Sequence, residues 1–443
     1  MRPVRVIDPE FFAPDEALSD SVPLLDLWMQ AQKGAQPLAG TTVLLIQHQL
    51  SNQVPMLKAL LDLGVRSEDV WWLDIPYTSH PAVRDYAAGQ FGVPRSQLLQ
   101  ADYPVLAPYG PYQHARAIRT LRTITDRNPG SLIVLDDGAY ALEALAALSP
   151  ARWPQQVAIV EQTTRGFIKW AHSAALRSVA AKIPVIDVAR SEPKRTLEPP
   201  FIGMAICAAL APHLERHARS GPVDEALVLG YGAVGEQVAS FLREQLHLSG
   251  SRISISDPAQ VNQEKAARRG FSLWDRDVLQ ARFSLVVGCS GQASFSVGDG
   301  VYLRDAALLA SASSGSVELS RQDFIELADA SDADDLWIRR DGLDLRDIHA
   351  PLTLHLVDRE VTFVNAGFPV NFDGRLTVCP SRYIQPTPTM MVAATVQAAA
   401  ALRADARGVQ ELDGSFCTWV DREFRALLGE RAEWLLPVPE AAW

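Results

Sequence analysis

Short apolar runs alternate with amphipathic helical stretches, and one Gly-x-Gly-x-x-Gly sits between a run and a helix. Together they predict an α/β protein of two doubly wound parallel-sheet domains. The second is expected to be a Rossmann domain inserted before the chain returns to the first. At 443 residues the chain exceeds one ordinary core, so two domains are expected on length alone.

The glycine stretch is the sharpest signal. Leu227 to Leu229 reads as a buried parallel strand, followed by Gly230, Tyr231, Gly232, Ala233, Val234 and Gly235, and then by a helical face of Val234, Val238, Phe241 and Leu242. In such a turn Gly230 permits the tight bend, Gly232 lets the backbone approach a pyrophosphate, and Gly235 lets helix and strand pack closely. Ala233 and Val234 open a helix whose free N–H groups and positive dipole end suit phosphate. Ser251 to Ser256 reads as the next strand. Asp257 at its end is placed to accept from a ribose 2′-hydroxyl and repel a 2′-phosphate, so NAD is the expected cofactor.

Composition narrows the classes. With 48% hydrophobic and 21% charged residues the chain is globular, and a net charge of −11 argues against general nucleic-acid or anionic-membrane binding. Cys207, Cys289, Cys379 and Cys417 are scattered, which fits a reducing compartment and offers no zinc spacing. No long apolar leader or span is read, and a cytoplasmic protein without a metal is expected.

In chain order, strands are expected at Thr41 to Gln47, ending at His48; at Asp69 to Ile75; and at Ser131 to Leu135, ending in Asp136-Asp137-Gly138. Two more are expected at Gln156 to Val160, ending in Glu161-Gln162-Thr163-Thr164, and at Ile183 to Val188. Pro104 to Ala107 is a further apolar run, and Asn52 to Leu63 and Arg116 to Arg127 are read as helices. Doubly wound folds place ligand residues just past the carboxyl ends of their strands, where His48, Asp137, Glu161 and Gln162 fall. Asp136 is expected to cap the next helix. Glu192 to Pro200 reads as a proline-rich joint, dividing residues 1–198 plus 368–443, a substrate domain, from residues 199–367, the cofactor domain. Ile202 to His213 is expected as a helix. The cofactor domain is expected to continue through Phe283 to Gly288 and Leu308 to Val317, with late strands at Leu352 to Val357 and Glu360 to Val364. Met390 to Leu402 is an alanine-rich return helix, and the tail bearing Trp419, Phe424, Leu427, Leu428 and Trp434 is read as a packing helix, with docking on a partner subunit as the alternative.

This order of parts, with its motifs, resembles the S-adenosyl-L-homocysteine hydrolase family over roughly residues 36–402. Pro37 to His48 looks like the family's first strand and active-site histidine. Leu135-Asp-Asp-Gly138 is similar to its Leu-Asp-Asp-Gly-Gly-Asp, and Glu161-Gln-Thr-Thr-Arg-Gly166 to its Glu-Glu-Thr-Thr-Thr-Gly. Lys182 to Val188 with Lys194 resembles the catalytic-lysine segment, Gly230 to Gly235 the family's Gly-Tyr-Gly-Asp-Val-Gly, and Gly374-Arg-Leu376 its Gly-Arg-Leu. The resemblance implies transient oxidation of a ribose 3′-hydroxyl, elimination and addition at C5′, and reduction back. It places His48, Asp137, Lys194 and Glu198 in the catalytic machinery and Thr163 and Thr164 against the nicotinamide half of NAD. A homo-oligomer, dimer or tetramer, is implied.

Departures cluster where the family reads its substrate. Gln162 stands for a glutamate, Glu198 for an aspartate, Asn52 for the adenine-edge glutamate, and Leu50 for a threonine. Ser314 and Gln385 stand where two loop histidines fall, and Leu436 to Trp443 lacks the family's lysine–tyrosine tail. Asn52, Gln162, Ser314 and Gln385 are therefore expected to contact a changed, nucleoside-like substrate. Two alternatives stand beside this reading: a non-catalytic NAD-binding regulator, and a simple NAD-dependent nucleoside or sugar dehydrogenase.

Overall fold

The computed structural model describes residues 9–12, 17–127, 130–218, 221–330, 338–340, 347–356 and 358–435. Fifteen strands are defined among them: β1 (Thr42–Gln49), β2 (Val70–Ser79), β3 (Leu98–Leu99), β4 (Ser131–Asp136), β5 (Gln156–Glu161), β6 (Pro184–Asp187), β7 (Ala226–Leu229), β8 (Ile253–Ser256), β9 (Ser272–Leu273), β10 (Phe283–Gly288), β11 (Leu303–Ser311), β12 (Ile338–Arg340), β13 (Leu352–Leu356), β14 (Arg359–Phe363) and β15 (Gly408–Glu411). They form two sheets, ordered β15-β6-β5-β4-β1-β2-β3 and β12-β13-β14-β11-β10-β7-β8-β9. The first is parallel throughout; in the second, β12 and β13 pair antiparallel at one edge.

Both sheets share one winding. β3-β2-β1-β4-β5-β6 and β9-β8-β7-β10-β11-β14 each run outward from a central strand and then restart on its other side. The order reverses between β1 and β4, and between β7 and β10, and each reversal opens a crevice at the carboxyl ends. Parallel sheets need helices on both faces, which is why their strands are near-continuous apolar runs. All of β1 is buried. On one face of the first sheet Val43 and Leu45 pack against the helices Val54–Asp62 and Pro386–Arg403; on the other, Leu44 and Ile46 face Tyr109–Arg127 and Tyr140–Ala147.

The proline-rich joint is helical rather than a bare linker. A short helix, Glu192–Thr196, leads into the long helix Pro199–His217. That helix serves both domains: Phe201, Met204 and Ala205 enter the first core, while Ile206, Cys207 and Leu210 enter the second. Its apolarity has this cause. The stretch Glu192–His217 is long and apolar enough to cross a membrane, but its most apolar part is mostly buried inside the protein.

Other boundaries shift for local reasons. Pro104 to Ala107 is a turn, and the edge strand is the two-residue β3. The helix expected from Arg116 begins at Tyr109, because Gly110 and Pro111 are tolerated in a first turn although they read as breakers. The tail forms the helix Gly414–Leu428, whose Phe424 and Leu428 are buried, and Trp434 packs beside Phe201 and Tyr383. Val357 and the stretch Leu436 to Trp443 lie outside the described residues.

Candidate active site

The two switch points face one cavity of about 390 Å³, within the range of small-molecule sites. Its first-domain wall is a hydrogen-bonded line. His48, near the end of β1, holds Nε2 3.2 Å from Asp137 Oδ2, just past β4. Its Nδ1 lies 2.6 Å from Thr78 Oγ1. Thr78 is also 3.2 Å from the Ile75 carbonyl. In that second contact the Thr78 hydroxyl donates to the carbonyl, and at Nε2 the Asp137 carboxylate can only accept, so the ring presents an N–H to it. Gln162 Nε2 donates to the same Asp137 Oδ2 at 3.0 Å. That bond fixes the amide orientation and leaves Gln162 Oε1 buried with no partner among the described residues. Phe372 lies over the imidazole, ring centroids 4.8 Å apart.

Behind this wall sit two carboxylates with different work. Asp136 accepts from Tyr140 N and Ala141 N at 3.2 and 2.7 Å, capping the helix Tyr140–Ala147. Burial pushes its carboxyl up to about 7. Glu161 accepts from Gly138 N, Ala139 N, Thr163 N and Thr163 Oγ1, and burial holds its carboxyl well above the usual range. Gly166 has no Cβ because the Glu161 carboxylate occupies that space, 2.3 Å from where the atom would stand. Glu161 thereby shapes both loops that carry Asp137 and Gln162.

Lys194 lines the cavity from the short joint helix. Its Nζ lies 2.7 Å from Glu198 Oε2 and also donates to Thr387 Oγ1. Glu198 is fully buried; its Oε1 accepts from Thr387 N at 2.7 Å, at the N-terminus of the helix Pro386–Arg403. A carboxylate is favoured at that positive helix end. An ammonium has three donors, so with Glu198 and Thr387 served, one N–H of Lys194 remains for a ligand.

The second-domain wall comes from the glycine turn and the β10–β11 loops. Gly230 has φ of +91°, and a Cβ there would meet the backbone of Cys289 and Ser290 at 2.9 Å. A Cβ on Gly235 would stand 1.9 Å from the Gly230 carbonyl oxygen, whereas one on Gly232 would meet nothing within 4 Å. Two glycines are thus required by packing, and the third leaves open space. Ala233 begins the helix Ala233–Gln245, and Val234 reaches the cavity. Half-buried Asp257 holds the Tyr231 amide at 2.6 Å and the Ala259 amide at 2.8 Å, which keeps its carboxylate beside the turn. Buried Glu318 accepts from Ser290 N and Gly291 N, both at 2.8 Å, and shapes the loop after β10.

Several sequence-picked residues fall elsewhere than expected. Gln385 does not line the cavity: its Oε1 accepts from Leu24 N at 2.8 Å and its Nε2 donates to Arg382 O at 3.0 Å, so it ties a helix start to an N-terminal segment. Glu198 does not line it either and acts through Lys194. Thr163 lines it, but its hydroxyl donates to Glu161 and caps the helix Thr164–His172 by accepting from Gly166 N. Asn52, Thr164 and Ser314 line the cavity. Thr78, Thr387 and Arg165 escaped the sequence reading. Nothing marks Thr78 or Thr387 locally, since each matters only through a distant partner. Arg165 had a signal, an arginine where the resembling motif has threonine.

No family model matches the chain. It is similar to two proteins described as uncharacterized, from Mycobacterium tuberculosis strains CDC 1551 / Oshkosh and ATCC 25618 / H37Rv. Each is 27% identical over 374 residues, covering 82% of this chain. The chain spans 65% of the length of these relatives.

Proposed function

We propose that this protein is an NAD-dependent, adenosylhomocysteinase-like enzyme acting on a nucleoside or related ribosyl substrate other than S-adenosylhomocysteine. The carrying observation is the facing of two strand-end clusters across one cavity, with His48, Asp137 and Lys194 on one side and, on the other, Val234 at the end of the glycine turn and the loops after β10 and β11. The residues present fit the cofactor. The open space at Gly232, the free N-terminus of Ala233–Gln245 and the carboxylate of Asp257 would receive its pyrophosphate and adenosine ribose. When bound, NAD supplies a hydride acceptor.

The chain's own groups then divide the work. Lys194, held by Glu198 and Thr387, presents a positive N–H to a ribosyl hydroxyl and stabilises its oxygen as the proton leaves. His48 and Asp137 exchange a proton with the neighbouring carbon and leaving group, with Thr78 orienting the ring. Gln162 offers an unfilled carbonyl acceptor, which suits a hydroxyl or N–H of the substrate. The apolar rim, including Leu50, Ile202 and Phe372, excludes water.

A simple dehydrogenase is the second reading. Gln385 is locked into the scaffold, so the position of one of the resembling family's loop histidines supplies no proton-transfer group. Purified protein incubated with NAD and a panel of nucleosides, followed by NADH absorbance and by release of a base, thiol or other leaving group, tests both. Catalytic NADH with product release supports elimination chemistry; stoichiometric NADH with only a ketone product supports the dehydrogenase. Rapid thiol release from S-adenosylhomocysteine would refute a changed substrate, and no redox change with any nucleoside would refute the enzyme reading.

A further inference from the structure

Arg165 has a setting that the proposed chemistry does not use. It lines the same cavity from the first turn of the helix Thr164–His172. Lys194 has Glu198 and His48 has Asp137, whereas among the described residues Arg165 makes no ion pair. Its guanidinium makes one hydrogen bond, Nη1 to the Ser314 carbonyl at 2.9 Å, across the interdomain cleft. It lies on Gly315, where a Cβ would stand 1.7 Å from Nη1; Gly315 has φ of +79° and donates its amide to Tyr77 Oη at 3.1 Å. The loop is therefore shaped around the guanidinium. Four of five arginine N–H donors remain.

A second, independent set of donors stands beside it. Thr163 accepts from Gly166 N through its hydroxyl and from Phe167 N through its carbonyl. The amides of Thr164 and Arg165 have no acceptor among the described residues, and both residues line the cavity. A helix start with two open N–H groups and an arginine fork is an arrangement for an oxyanion. A half-buried guanidinium that makes no ion pair among the described residues also suits one.

We infer that the substrate carries a phosphate or carboxylate, and that Arg165 with the Thr164 and Arg165 amides receives it. The inference rests on the proposed function for the nucleoside part only. An acidic substituent separates this substrate from a neutral nucleoside, and accounts for an arginine where the resembling motif has threonine.

The test is calorimetric titration of the full chain, with excess NAD present to occupy the glycine turn, using inorganic phosphate, acetate and adenosine as separate probes. Wild type should bind phosphate or acetate, and the stronger of the two identifies the group. Arg165→Gln should weaken that binding by about ten- to hundredfold, the range of a charge-assisted hydrogen bond. Arg165→Lys, which keeps the charge but not the fork, should recover part of it. Thermal melting of each variant separates this loss from misfolding, and a folded Arg165→Lys gives the answer if Arg165→Gln fails to fold. Anion binding that is absent, or unchanged in the folded variants, overturns the inference. Adenosine binding without anion binding sinks it and leaves the nucleoside reading intact; Arg165-dependent anion binding without adenosine binding does the reverse.

Discussion

His48 Nε2 lies 3.2 Å from Asp137 Oδ2, joining the carboxyl ends of β1 and β4, two strands paired in register from Thr42 with Leu132 to Ile46 with Asp136. Gln162, past β5, completes the line. Asp137→Asn removes the negative charge that His48 and Gln162 share and replaces one carboxylate oxygen with an NH2 donor. Turnover should fall by about 10²- to 10⁴-fold, as for loss of a positioned acid–base group, with little change in melting temperature. An unchanged kcat would show that the pair is structural.

Glu198→Gln keeps the shape of the buried group but removes Lys194's counter-ion. Breaking such a pair costs about 3 kcal/mol, because an uncompensated charge is left behind. The variant should melt lower and lose turnover more than substrate affinity, as measured by kcat and KM separately. A loss confined to stability would separate Glu198 from the chemistry.

The glycines make a paired prediction. Gly235→Ala forces a methyl into the Gly230 carbonyl and should destabilise the second domain by about 2–4 kcal/mol, a typical overpacking and backbone cost. Gly232→Ala meets open space and should fold normally, yet bind NAD at least about tenfold more weakly, where a ligand passes close to the backbone. Equal NAD binding by wild type and Gly232→Ala would mean that the turn holds no pyrophosphate.

Asp136 links stability to pH. Burial raises its folded carboxyl from the ordinary aspartate value of 3.8 to about 7. The folded state then binds more protons than the unfolded state between these values, so its contribution is full below about 4 and is lost as pH rises through about 7. Asp136→Asn cannot ionise. The advantage of wild type over this variant should shrink across that window in denaturant melts at several pH values; an advantage that grows with pH would reverse the assignment.

Gln385→Ala should lower the melting temperature, since it frees Leu24 N and Arg382 O. It should leave ligand Kd values unchanged in the calorimetric assay. A selective loss of affinity would return Gln385 to the cavity.

Local chemistry made much of the fold legible in the sequence. Apolar runs of strand length and the glycines around a tight turn depend on neighbours a few residues away, so β1, β4, β5, β7 and β10 could be read directly, as could the capping by Asp136. The first turn of Tyr109–Arg127 was not legible, because a helix start tolerates a Gly110-Pro111 pair that its interior excludes. Tertiary structure alone decided which strands lie side by side, and hence that His48 meets Asp137. It turned Gln385 inward to Leu24, made Glu198 a support for Lys194 through Thr387, and set Arg165 on Gly315 of the other domain. Each outcome depends on a partner distant in sequence, brought close when two sheets wound alike set their reversal points against a shared helix, Pro199–His217. Sequence determined the strand ends and the chemistry they carry; packing decided which of those ends share a cavity.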